Sequence, residues 1–345
     1  MTLGVGVVGA GLMGSHHVHT LASEIAGANV VAVADSDGER AGRAAAEVPG
    51  CRSHSAALEL VNDPEVQAVL VASPAETHED FVLACLAAGK PVLCEKPLAA
   101  TADACLRVIQ AETGLGRKLV QVGFMRRFDT AYAEMKRQVD AGAIGPVLLM
   151  HCVHRGAATV PSFTSEMMIT DAAIHELDLA RWMLREEIVA VTVHAPRVSG
   201  QAAPGLQDPL VIVLRSASGA LVDIEVFGNA RYGYDIRGEI VGETGTISLA
   251  SPAVVSTRQH GEVRVPIASN FGDRFAPAYR TELRMWVEGV CAGEVRGPDS
   301  WDGYAASAVA EACLESLEKG GQVQVQLASR PHLYTPTSQL SEMSA

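Results

Sequence analysis

The sequence has 345 residues, which is long for one hydrophobic core, so two domains are expected. Apolar residues make up 48% of the chain and aromatic residues only 5%, so Ala, Val and Leu must fill most of each core. The net charge of -13 argues against a general surface for nucleic acid or anionic membranes, because such a protein would repel phosphate.

The N-terminal third of the chain alternates strand-like and helix-like segments. The predicted strands are Leu3–Val8, Val30–Ala34, Ala68–Val71, Val92–Cys94 and Lys118–Val122, and helices are predicted between them, for instance at His78–Ala88 and Ala102–Glu112. Near-continuous runs of Val and Leu are typical of a parallel sheet covered on both faces. The alternation therefore predicts an α/β, doubly wound domain over residues 1–122.

The pattern changes near residue 123. Further helices are predicted at Thr130–Ala141, Thr170–Leu184, Tyr279–Ala292 and Ser300–Lys319, and further strands at Val147–His154, Ile188–Arg197, Leu210–Ser216, Leu221–Phe227, Tyr234–Val241 and Thr246–Ser248. Alternation within these strands predicts an open, mostly antiparallel sheet with one face packed on helices. An α+β domain is expected over residues 123–331, followed by a loosely held tail at residues 332–345.

A glycine motif, Gly9-Ala-Gly11-Leu-Met-Gly14, follows the first predicted strand directly. Gly9 would permit a tight turn, Gly11 would let the backbone approach a pyrophosphate, and Gly14 would let helix and strand pack closely. The helix that begins there would present free N–H groups to the phosphates. Three spaced glycines alone are weak evidence, but this context predicts a dinucleotide site. Its predicted contacts are Gly9, Gly11, Leu12, Met13 and Gly14.

Asp35 ends the second predicted strand, where a ribose-binding acid is expected in such a domain. A carboxylate there accepts hydrogen bonds from the ribose hydroxyls and repels a 2′-phosphate, and Asp37 adds a second negative charge nearby. Arg40 is interpreted as a solvated helix residue. The cofactor prediction is therefore NAD rather than NADP, and the alternative for Asp35 is a helix N-cap or turn residue.

The segment Cys94-Glu-Lys-Pro97 ends another predicted strand of the same sheet. Ligands of open α/β sheets bind outside the carboxyl ends of the strands, so Lys96 lies at the expected edge. Its ammonium group would donate a hydrogen bond to a substrate oxygen or take part in proton transfer. Pro97 would hold the turn rigidly, and a cis bond is one way to do so. The alternative is an ordinary solvated turn.

A second cluster, Thr170-Asp-Ala-Ala-Ile-His175, lies in a predicted helix of the second domain. Asp171 and His175 are four residues apart and would share one helical face. A carboxylate so placed fixes the imidazole tautomer and leaves the other ring nitrogen to take a hydroxyl proton. The alternative is a surface ion pair, or an N-cap beside an unrelated histidine. Leu179 breaks the H-E-x-x-H zinc pattern, so no metal is predicted.

Together these segments resemble the family of glucose-fructose oxidoreductases and inositol dehydrogenases (Gfo/Idh/MocA) over nearly the whole chain. Glu95-Lys-Pro97 is similar to the family's characteristic motif, whose lysine is regarded as catalytic, and Asp171 and His175 resemble its acid-base pair. The resemblance implies an N-terminal Rossmann domain that binds NAD, a C-terminal domain with an open sheet, and a homo-oligomer, commonly a tetramer.

Three further segments resemble the inositol 2-dehydrogenase branch of that family: Gln121–Asp129, Met168–Asp178 and Tyr232–Ile236. The resemblance implies a cyclic polyol as substrate, with myo-inositol first, bound between the two domains. It implies polyol contacts at Lys96, Arg127, His154, Asp171, His175, Tyr234 and Tyr279, and cofactor contacts at Ser73, His78, Glu95 and Lys96. Gly156 departs from the branch, where a polar residue, commonly Asn, is expected, so the exact polyol stays open.

The seven cysteines are scattered without paired or metal-like spacing, which is typical of reduced thiols in the cytoplasm. No basic segment precedes the first predicted strand, and no apolar run approaches the length of a membrane span. We therefore expect a cytoplasmic protein with no membrane or nucleic-acid partner.

Three alternatives to a myo-inositol enzyme stay open on the sequence alone. A related dehydrogenase would act on scyllo-inositol, an amino-cyclitol or a pyranose sugar. A non-catalytic regulator would keep the nucleotide domain without the chemistry. An enzyme of a third kind would use bound NAD without net redox change, as some hydrolases do.

Overall fold

The computed structural model describes residues 2–250 and 255–335 of the chain. These residues form two compact units. The first unit contains the described residues up to 124, together with 280–307 and those from 327 onward, and the second contains the described residues of 125–279 and 308–326. The predicted domain boundary between residues 122 and 123 lies close to residue 124, after which the chain first passes from the first unit to the second. The return of residues 280–307 to the first unit was not anticipated, because a periodic sequence pattern shows elements in chain order only.

The first unit contains a six-stranded parallel sheet with the order β3-β2-β1-β4-β5-β6. Its strands are β1 (Leu3–Val8), β2 (Ala28–Ala34), β3 (Arg52–His54), β4 (Ala68–Val71), β5 (Val92–Glu95) and β6 (Val120–Gly123). Its helices are α1 (Leu12–Glu24), α2 (Gly38–Ala46), α3 (Ala57–Asn62), α4 (His78–Ala87) and α5 (Ala102–Leu115). This order confirms the predicted doubly wound fold, and it reverses between β1 and β4, where such folds bind their ligands.

Burial explains why the sequence pattern identified this sheet. Every residue of β1, β4, β5 and β6 is buried, as expected for strands covered on both faces. The short strand β3 escaped prediction because it consists of three polar residues. Its position at the edge of the sheet requires no apolar run.

The second unit contains a seven-stranded sheet with the order β12-β11-β7-β10-β9-β8-β15. The remaining elements are α6 (Thr130–Asp140), β7 (Val147–Arg155), α7 (Ile174–Leu184), β8 (Ile188–His194), β9 (Leu210–Ser216), β10 (Leu221–Phe227), β11 (Asp235–Gly242), β12 (Thr246–Ser248), β13 (Thr257–Gln259), β14 (Glu262–Arg264), α8 (Phe271–Ala292), α9 (Ser300–Lys319) and β15 (Gln322–Gln324). Among the described strands of this sheet only β7 and β10 pair in parallel, so the predicted mostly antiparallel sheet is confirmed.

One face of this sheet is buried and the other is open. On β7 the side chains of Met150, Cys152 and His154 are buried, and alternate residues of β10 are buried in the same way. The opposite face carries partly exposed apolar residues, among them Leu149, which is 37% exposed. The strands therefore pack on helices from one side only.

Helix ends depart from the predictions in two places. The predicted helix from Thr170 begins with a π-helical turn at Met168–Ala173, and regular α-helix starts only at Ile174. Helix α8 begins at Phe271, well before the predicted start, and contains Pro277 in its interior. Proline usually marks a helix start or break, which is why the sequence pattern favoured a start after Pro277. Its residues Leu283, Trp286 and Val287 pack into the core of the first unit.

The predicted loose tail, residues 332–345, lies mostly outside the described residues. Its first four residues are held rather than loose. Tyr334 is 4% exposed, and its hydroxyl donates to Oε2 of Glu112 over 2.6 Å. A single buried aromatic ring is enough to anchor this segment. Within the described part of the chain, no helix is long and apolar enough to cross a membrane.

Candidate active site

The glycine loop between β1 and α1 has the backbone that each glycine was predicted to provide. Gly9 has a φ of +91°, and a Cβ there would lie 2.6 Å from the backbone of Ala72 and Ser73. A Cβ on Gly14 would lie 1.8 Å from the carbonyl oxygen of Gly9. A Cβ on Gly11 would meet nothing within 4 Å. Gly9 and Gly14 are therefore required by the fold, whereas Gly11 leaves open space for a ligand.

This open space fits a dinucleotide pyrophosphate. Gly11 is the N-cap of α1 and offers no side chain to the first-turn N–H groups, and the first turn has no acidic residue. In the same turn Leu12 is 78% exposed and Met13 is partly exposed. Helix N-termini of this kind bind phosphate through their N–H groups and dipole.

Asp35 lies directly beside this loop at the end of β2. Its Oδ2 accepts a hydrogen bond from the N–H of Ala10 over 2.7 Å, and its Oδ1 accepts one from Asp37 over 2.8 Å. Burial works to raise the pKa of Asp35, but these two hydrogen bonds and the nearby Arg40 lower it below its usual value. The carboxyl group is therefore ionised at neutral pH, as ribose binding requires. Arg40 lies 3.2 Å from it in a partly exposed ion pair.

Ser73 and His78 connect two turns at the carboxyl edge of the sheet. His78 is 1% exposed, and its Nε2 lies 2.8 Å from the carbonyl oxygen of Ser73. Its Nδ1 lies 2.7 Å from the carbonyl oxygen of Pro97. The imidazole thus links the turn after β4 to the turn that carries Lys96. The Ser73 hydroxyl contacts Thr77 over 2.7 Å.

Lys96 follows Glu95, the last residue of β5, and the Lys96–Pro97 bond is cis. Lys96 itself is partly exposed, whereas Glu95 is buried. Oε1 of Glu95 lies 2.7 Å from Nε2 of His17, a buried residue of α1 that the sequence analysis did not single out. Burial works to raise the pKa of Glu95, but His17 and the ammonium group of Lys96 lower it. Glu95 therefore stays an anion beside Lys96.

Glu282 is a second buried carboxyl group of the first unit that the sequence analysis missed. It is 0% exposed, and neither of its oxygens has a hydrogen-bond partner among the described residues. Burial raises the pKa of Glu282 well above its usual range, and the nearby Glu95 carboxylate raises it further. Burial and the negative charge of Glu95 therefore both favour the protonated form of Glu282. A lone Glu in a helix carries no sequence signal of this kind, because its burial arises from tertiary packing.

Asp171 and His175 lie on successive parts of one helical segment in the second unit. Asp171 is exposed on the π-helical turn, and His175 is 7% exposed at the second position of α7. Hydrogen bonds in a π-helical turn span five residues rather than four. The expected spacing of an α-helical face therefore does not apply unchanged. Single π-helical turns inside helices frequently mark functional sites.

Arg127 was expected to contact the polyol, and the structure shows its guanidinium group against Asp178. Nε of Arg127 donates to Oδ2 of Asp178 over 2.9 Å, and Nη2 donates to Oδ1. The guanidinium carbon lies 5.7 Å from the centroid of the Trp182 ring. Two of the three guanidinium nitrogen atoms of Arg127 therefore donate hydrogen bonds within the second unit. Tyr279, also expected at the polyol, is 5% exposed on α8.

His154 and Tyr234 lie together in the second unit. The Tyr234 hydroxyl lies 3.3 Å from Nε2 of His154. The other ring nitrogen of His154 contacts Arg126 and Glu176, two fully buried residues that the sequence analysis did not assign to the site. Glu176 was considered there only as part of a zinc pattern. Its pairing with a residue 50 positions earlier is a long-range contact that no local motif indicates.

Gly156 follows β7 and approaches another glycine closely. Its N–H donates to the carbonyl oxygen of Phe227 over 2.8 Å. A Cβ on Gly156 would lie 3.0 Å from the carbonyl oxygen of Gly228. A larger residue here would displace that backbone by a few tenths of an ångström. The local packing thus accounts for glycine where the resemblance suggests a polar residue.

Family models match both parts of the chain. A model described as an oxidoreductase family with an NAD-binding Rossmann fold matches residues 3–124. A model described as the GFO/IDH/MocA C-terminal domain matches residues 132–248.

Several inositol 2-dehydrogenases are similar over their full length. Inositol 2-dehydrogenase 2 of Saccharopolyspora erythraea is 54% identical over 336 residues, which cover 97% of this chain and 99% of the relative. An inositol 2-dehydrogenase of Pseudomonas fluorescens is 44% identical over 335 residues, covering 97% and 100%.

Two solved structures show the same architecture. The crystal structure of myo-inositol dehydrogenase from Lactobacillus casei in complex with NAD(H) and myo-inositol has a TM-score of 0.94 and 33% identity, covering 97% of this chain and 100% of that one. The scyllo-inositol dehydrogenase from the same organism, with bound NAD(H) and scyllo-inositol, has a TM-score of 0.86 and 26% identity, covering 94% and 99%. The chain therefore belongs to the Gfo/Idh/MocA family and is an NAD-dependent oxidoreductase.

Proposed function

We propose that this enzyme oxidises one hydroxyl of myo-inositol to give 2-keto-myo-inositol, with NAD as the hydride acceptor. The observation that carries the proposal is the full-length similarity to inositol 2-dehydrogenases, including one solved with NAD(H) and myo-inositol. The chain carries residue types that this reaction needs: a glycine segment at Gly9–Gly14, a lysine at the carboxyl edge of the parallel sheet, and a buried histidine on α7 in the second unit.

Three residues carry the proposed chemistry. His175 takes the hydroxyl proton on a ring nitrogen, and Asp171 orients it and stabilises the imidazolium that forms. Lys96 donates a hydrogen bond to the same oxygen and stabilises the negative charge that develops on it. The C–H bond of that carbon breaks with its electron pair, and a ketone is the product.

Other residues bind the two substrates in this proposal. Bound NAD supplies the hydride acceptor. Its pyrophosphate would lie on the first turn of α1, and its adenosine ribose on the ionised Asp35. Ser73, His78 and Glu95 would shape the part of the site that surrounds the nicotinamide ribose. Arg127, His154, Tyr234 and Tyr279 would hold the polyol hydroxyls so that one C–H bond points at the nicotinamide.

A polyol panel tests this proposal. Purified enzyme is mixed with NAD and, in separate reactions, myo-inositol, scyllo-inositol, D-chiro-inositol and glucose, and NADH is followed by absorbance. We expect kcat/KM to be highest for myo-inositol. Product formation without NADH would instead indicate chemistry in which NAD undergoes no net change. NADH binding without any turnover across the panel would contradict a polyol dehydrogenase.

A second candidate substrate is another cyclic polyol, with scyllo-inositol first. Gly156 favours this candidate, because glycine has no side-chain amide that could contact a ring hydroxyl of the substrate. In that case scyllo-inositol would have the higher kcat/KM in the same panel. The proposed roles of Lys96, Asp171 and His175 would be unchanged.

The protein is further proposed to be a cytoplasmic homo-oligomer, with the tetramer as the first expectation. All seven cysteines are free thiols, which suits a reducing compartment. The open face of the second sheet carries partly exposed apolar side chains, which a second copy of the chain would cover. Light scattering after gel filtration tests this proposal. A measured mass of 36.2 kDa, that of a single chain, would contradict the proposed homo-oligomer.

A further inference from the structure

A buried ion pair in the second unit contacts the residues proposed to bind the polyol. The side chains of Arg126 and Glu176 are each 1% exposed, and Nη1 of Arg126 donates to Oε1 of Glu176. A pair buried this deeply adds little net stability, because both charges lose their hydration. The role of this ion pair therefore depends on the other contacts that Arg126 and Glu176 make.

Both members of the pair contact the same atom of His154. Nη2 of Arg126 lies 3.1 Å from Nδ1 of His154, and Oε2 of Glu176 lies 3.2 Å from that nitrogen. A guanidinium group only donates and a carboxylate only accepts, so Nδ1 has a partner in either tautomer of the ring: Arg126 when it is bare and Glu176 when it carries the proton. Two contacts at one ring nitrogen also hold the ring in place and fix the direction of Nε2.

His154 transmits this constraint to Tyr234. The Tyr234 hydroxyl lies 3.3 Å from Nε2, and the two rings meet edge to face at 84° with centroids 5.6 Å apart. The buried Phe275 ring supports both ends, because its centroid lies 5.4 Å from the guanidinium carbon of Arg126 and 6.3 Å from the Tyr234 centroid. Arg126 is fully buried whereas Tyr234 is partly exposed, so the tyrosine end is the one that a ligand can reach.

We propose that Arg126 and Glu176 are positioning residues for the polyol, because together they hold His154 and Tyr234 in the orientation that binds a ring hydroxyl. This inference rests on the proposed function, since it takes His154 and Tyr234 as polyol ligands. A ring hydroxyl both donates and accepts, so a His–Tyr pair held in fixed positions recognises it in one orientation. Glu176 also follows His175 in α7, so the same ion pair holds the turn that carries the proposed base.

A double-mutant cycle with Arg126→Lys and Tyr234→Phe tests the proposal. Lysine keeps a positive charge beside Glu176 but has one nitrogen in place of a planar fork, so it cannot serve both Glu176 and Nδ1. We expect R126K to raise the KM for myo-inositol about tenfold when Tyr234 is present and less than about twofold in the Y234F enzyme. The Kd for NADH should be the same in all four proteins. Additive effects of the two changes would overturn the proposal.

An apolar replacement of the pair, Arg126→Met with Glu176→Leu, separates positioning from stability. Replacing a buried ion pair by apolar residues of similar volume is often neutral for stability. We expect this variant to fold with a Tm within a few degrees of wild type and to show a KM for myo-inositol raised at least about tenfold. A folded variant with an unchanged KM would leave the pair a structural role only. If this variant does not fold, the cycle with R126K still decides.

The failure of this proposal and that of the proposed function look different. If the function is wrong, the wild-type enzyme itself will turn over no polyol. If the positioning role is wrong, wild type will be active and the variants will show no coupling. Polyol binding to the enzyme–NADH complex, followed by NADH fluorescence, gives the cycle a readout that needs no turnover.

Discussion

Lys96 and His175 have different surroundings, which suit the two roles proposed for them. Lys96 is partly exposed at the carboxyl edge of the first sheet and follows the anionic Glu95. His175 is 7% exposed on α7. An accessible cation suits contact with a substrate oxygen, whereas a shielded imidazole holds its proton away from bulk water.

Removing either group should stop turnover and leave cofactor binding intact. We expect Lys96→Ala and His175→Ala each to lower kcat by at least about 10²-fold, the range typical for the loss of one acid-base group. The Kd for NADH should change by less than about twofold, measured by fluorescence. His194→Ala on an exposed strand position is a matched control. Near-normal turnover of either variant would contradict the role of that residue.

Asp35 is expected to control the choice between NAD and NADP. Asp35→Ser removes the charge that repels a 2′-phosphate, so the preference for NAD, measured as the ratio of kcat/KM values, should fall by about tenfold or more. Glu47→Gln is the matched control, because it removes one exposed carboxylate at the C-terminal end of α2. An unchanged preference in D35S would show that Asp35 does not contact the ribose.

Glu282 should make the stability of the protein depend on pH. Its pKa is raised by burial in the folded state, so its contribution to stability is complete below the unfolded pKa of about 4.3. That contribution falls as pH rises toward the folded pKa, by up to about 1.4 kcal/mol per pH unit. The Gln side chain of Glu282→Gln cannot ionise. As pH rises, the free energy of unfolding of the variant should therefore increase relative to that of the wild type.

Denaturant unfolding at several pH values measures this difference. Glu288→Gln is the matched control, because Glu288 lies on the same helix with a side chain 53% exposed. The E288Q curve should run parallel to wild type. Parallel curves for E282Q as well would show that Glu282 is not held protonated in the folded protein.

Short motifs allow a site to be predicted where its parts are local in sequence. The glycines and Asp35 belong to one strand-helix-strand segment, and this context led to a predicted dinucleotide site, whose residue contacts stay a prediction. Arg126, Glu176 and Glu282 were missed because each acquires its role from a partner or from packing far away in the sequence. Charged residues are expected at the surface by default, and only the structure shows that these three are buried.

At the scale of single elements, the β1–α1 loop separates what the fold needs from what the cofactor needs. A Cβ at Gly14 would collide with backbone at 1.8 Å, whereas a Cβ at Gly11 would enter open space. Two alanine substitutions in one loop therefore probe packing and binding separately.

We expect Gly11→Ala to weaken NADH binding at least about tenfold while lowering stability by less than about 1 kcal/mol. Gly14→Ala should lower the free energy of unfolding by about 3 kcal/mol or prevent folding, because the backbone of Gly9 cannot move aside cheaply. Calorimetry and NADH titration measure the two effects. Normal NADH binding by G11A would show that the pyrophosphate does not lie against Gly11.

Buried strands were the most predictable elements. Leu210–Ser216 and Leu221–Phe227 match their predicted bounds, since alternation marks a strand with one covered face. The start of α8 and the π-helical turn before α7 were not predicted. In both places the helix is irregular, with a π-helical turn at Met168–Ala173 and Pro277 inside α8, and residue periodicity predicts regular helix only.

At the scale of the whole molecule, the order of the fold along the chain was predictable and its assembly was not. The change from runs of Val and Leu to alternating strands indicated two kinds of sheet near residue 123. Residues 280–307 nevertheless return to the first unit, where Leu283 and Trp286 join its core. The sequence of an amphipathic helix does not indicate which sheet the helix covers, so the sequence alone did not assign residues 280–307 to a unit.

The most direct measurement follows the hydride itself. Myo-inositol carrying deuterium at C2 only is oxidised with NAD, and the NADH formed is analysed by mass spectrometry. We expect deuterium in the NADH, a slower hydride transfer than with unlabelled substrate, and a 2-ketone product. NADH without deuterium would show that another carbon is oxidised, and a labelled substrate that yields no NADH would contradict the proposed inositol 2-dehydrogenase activity.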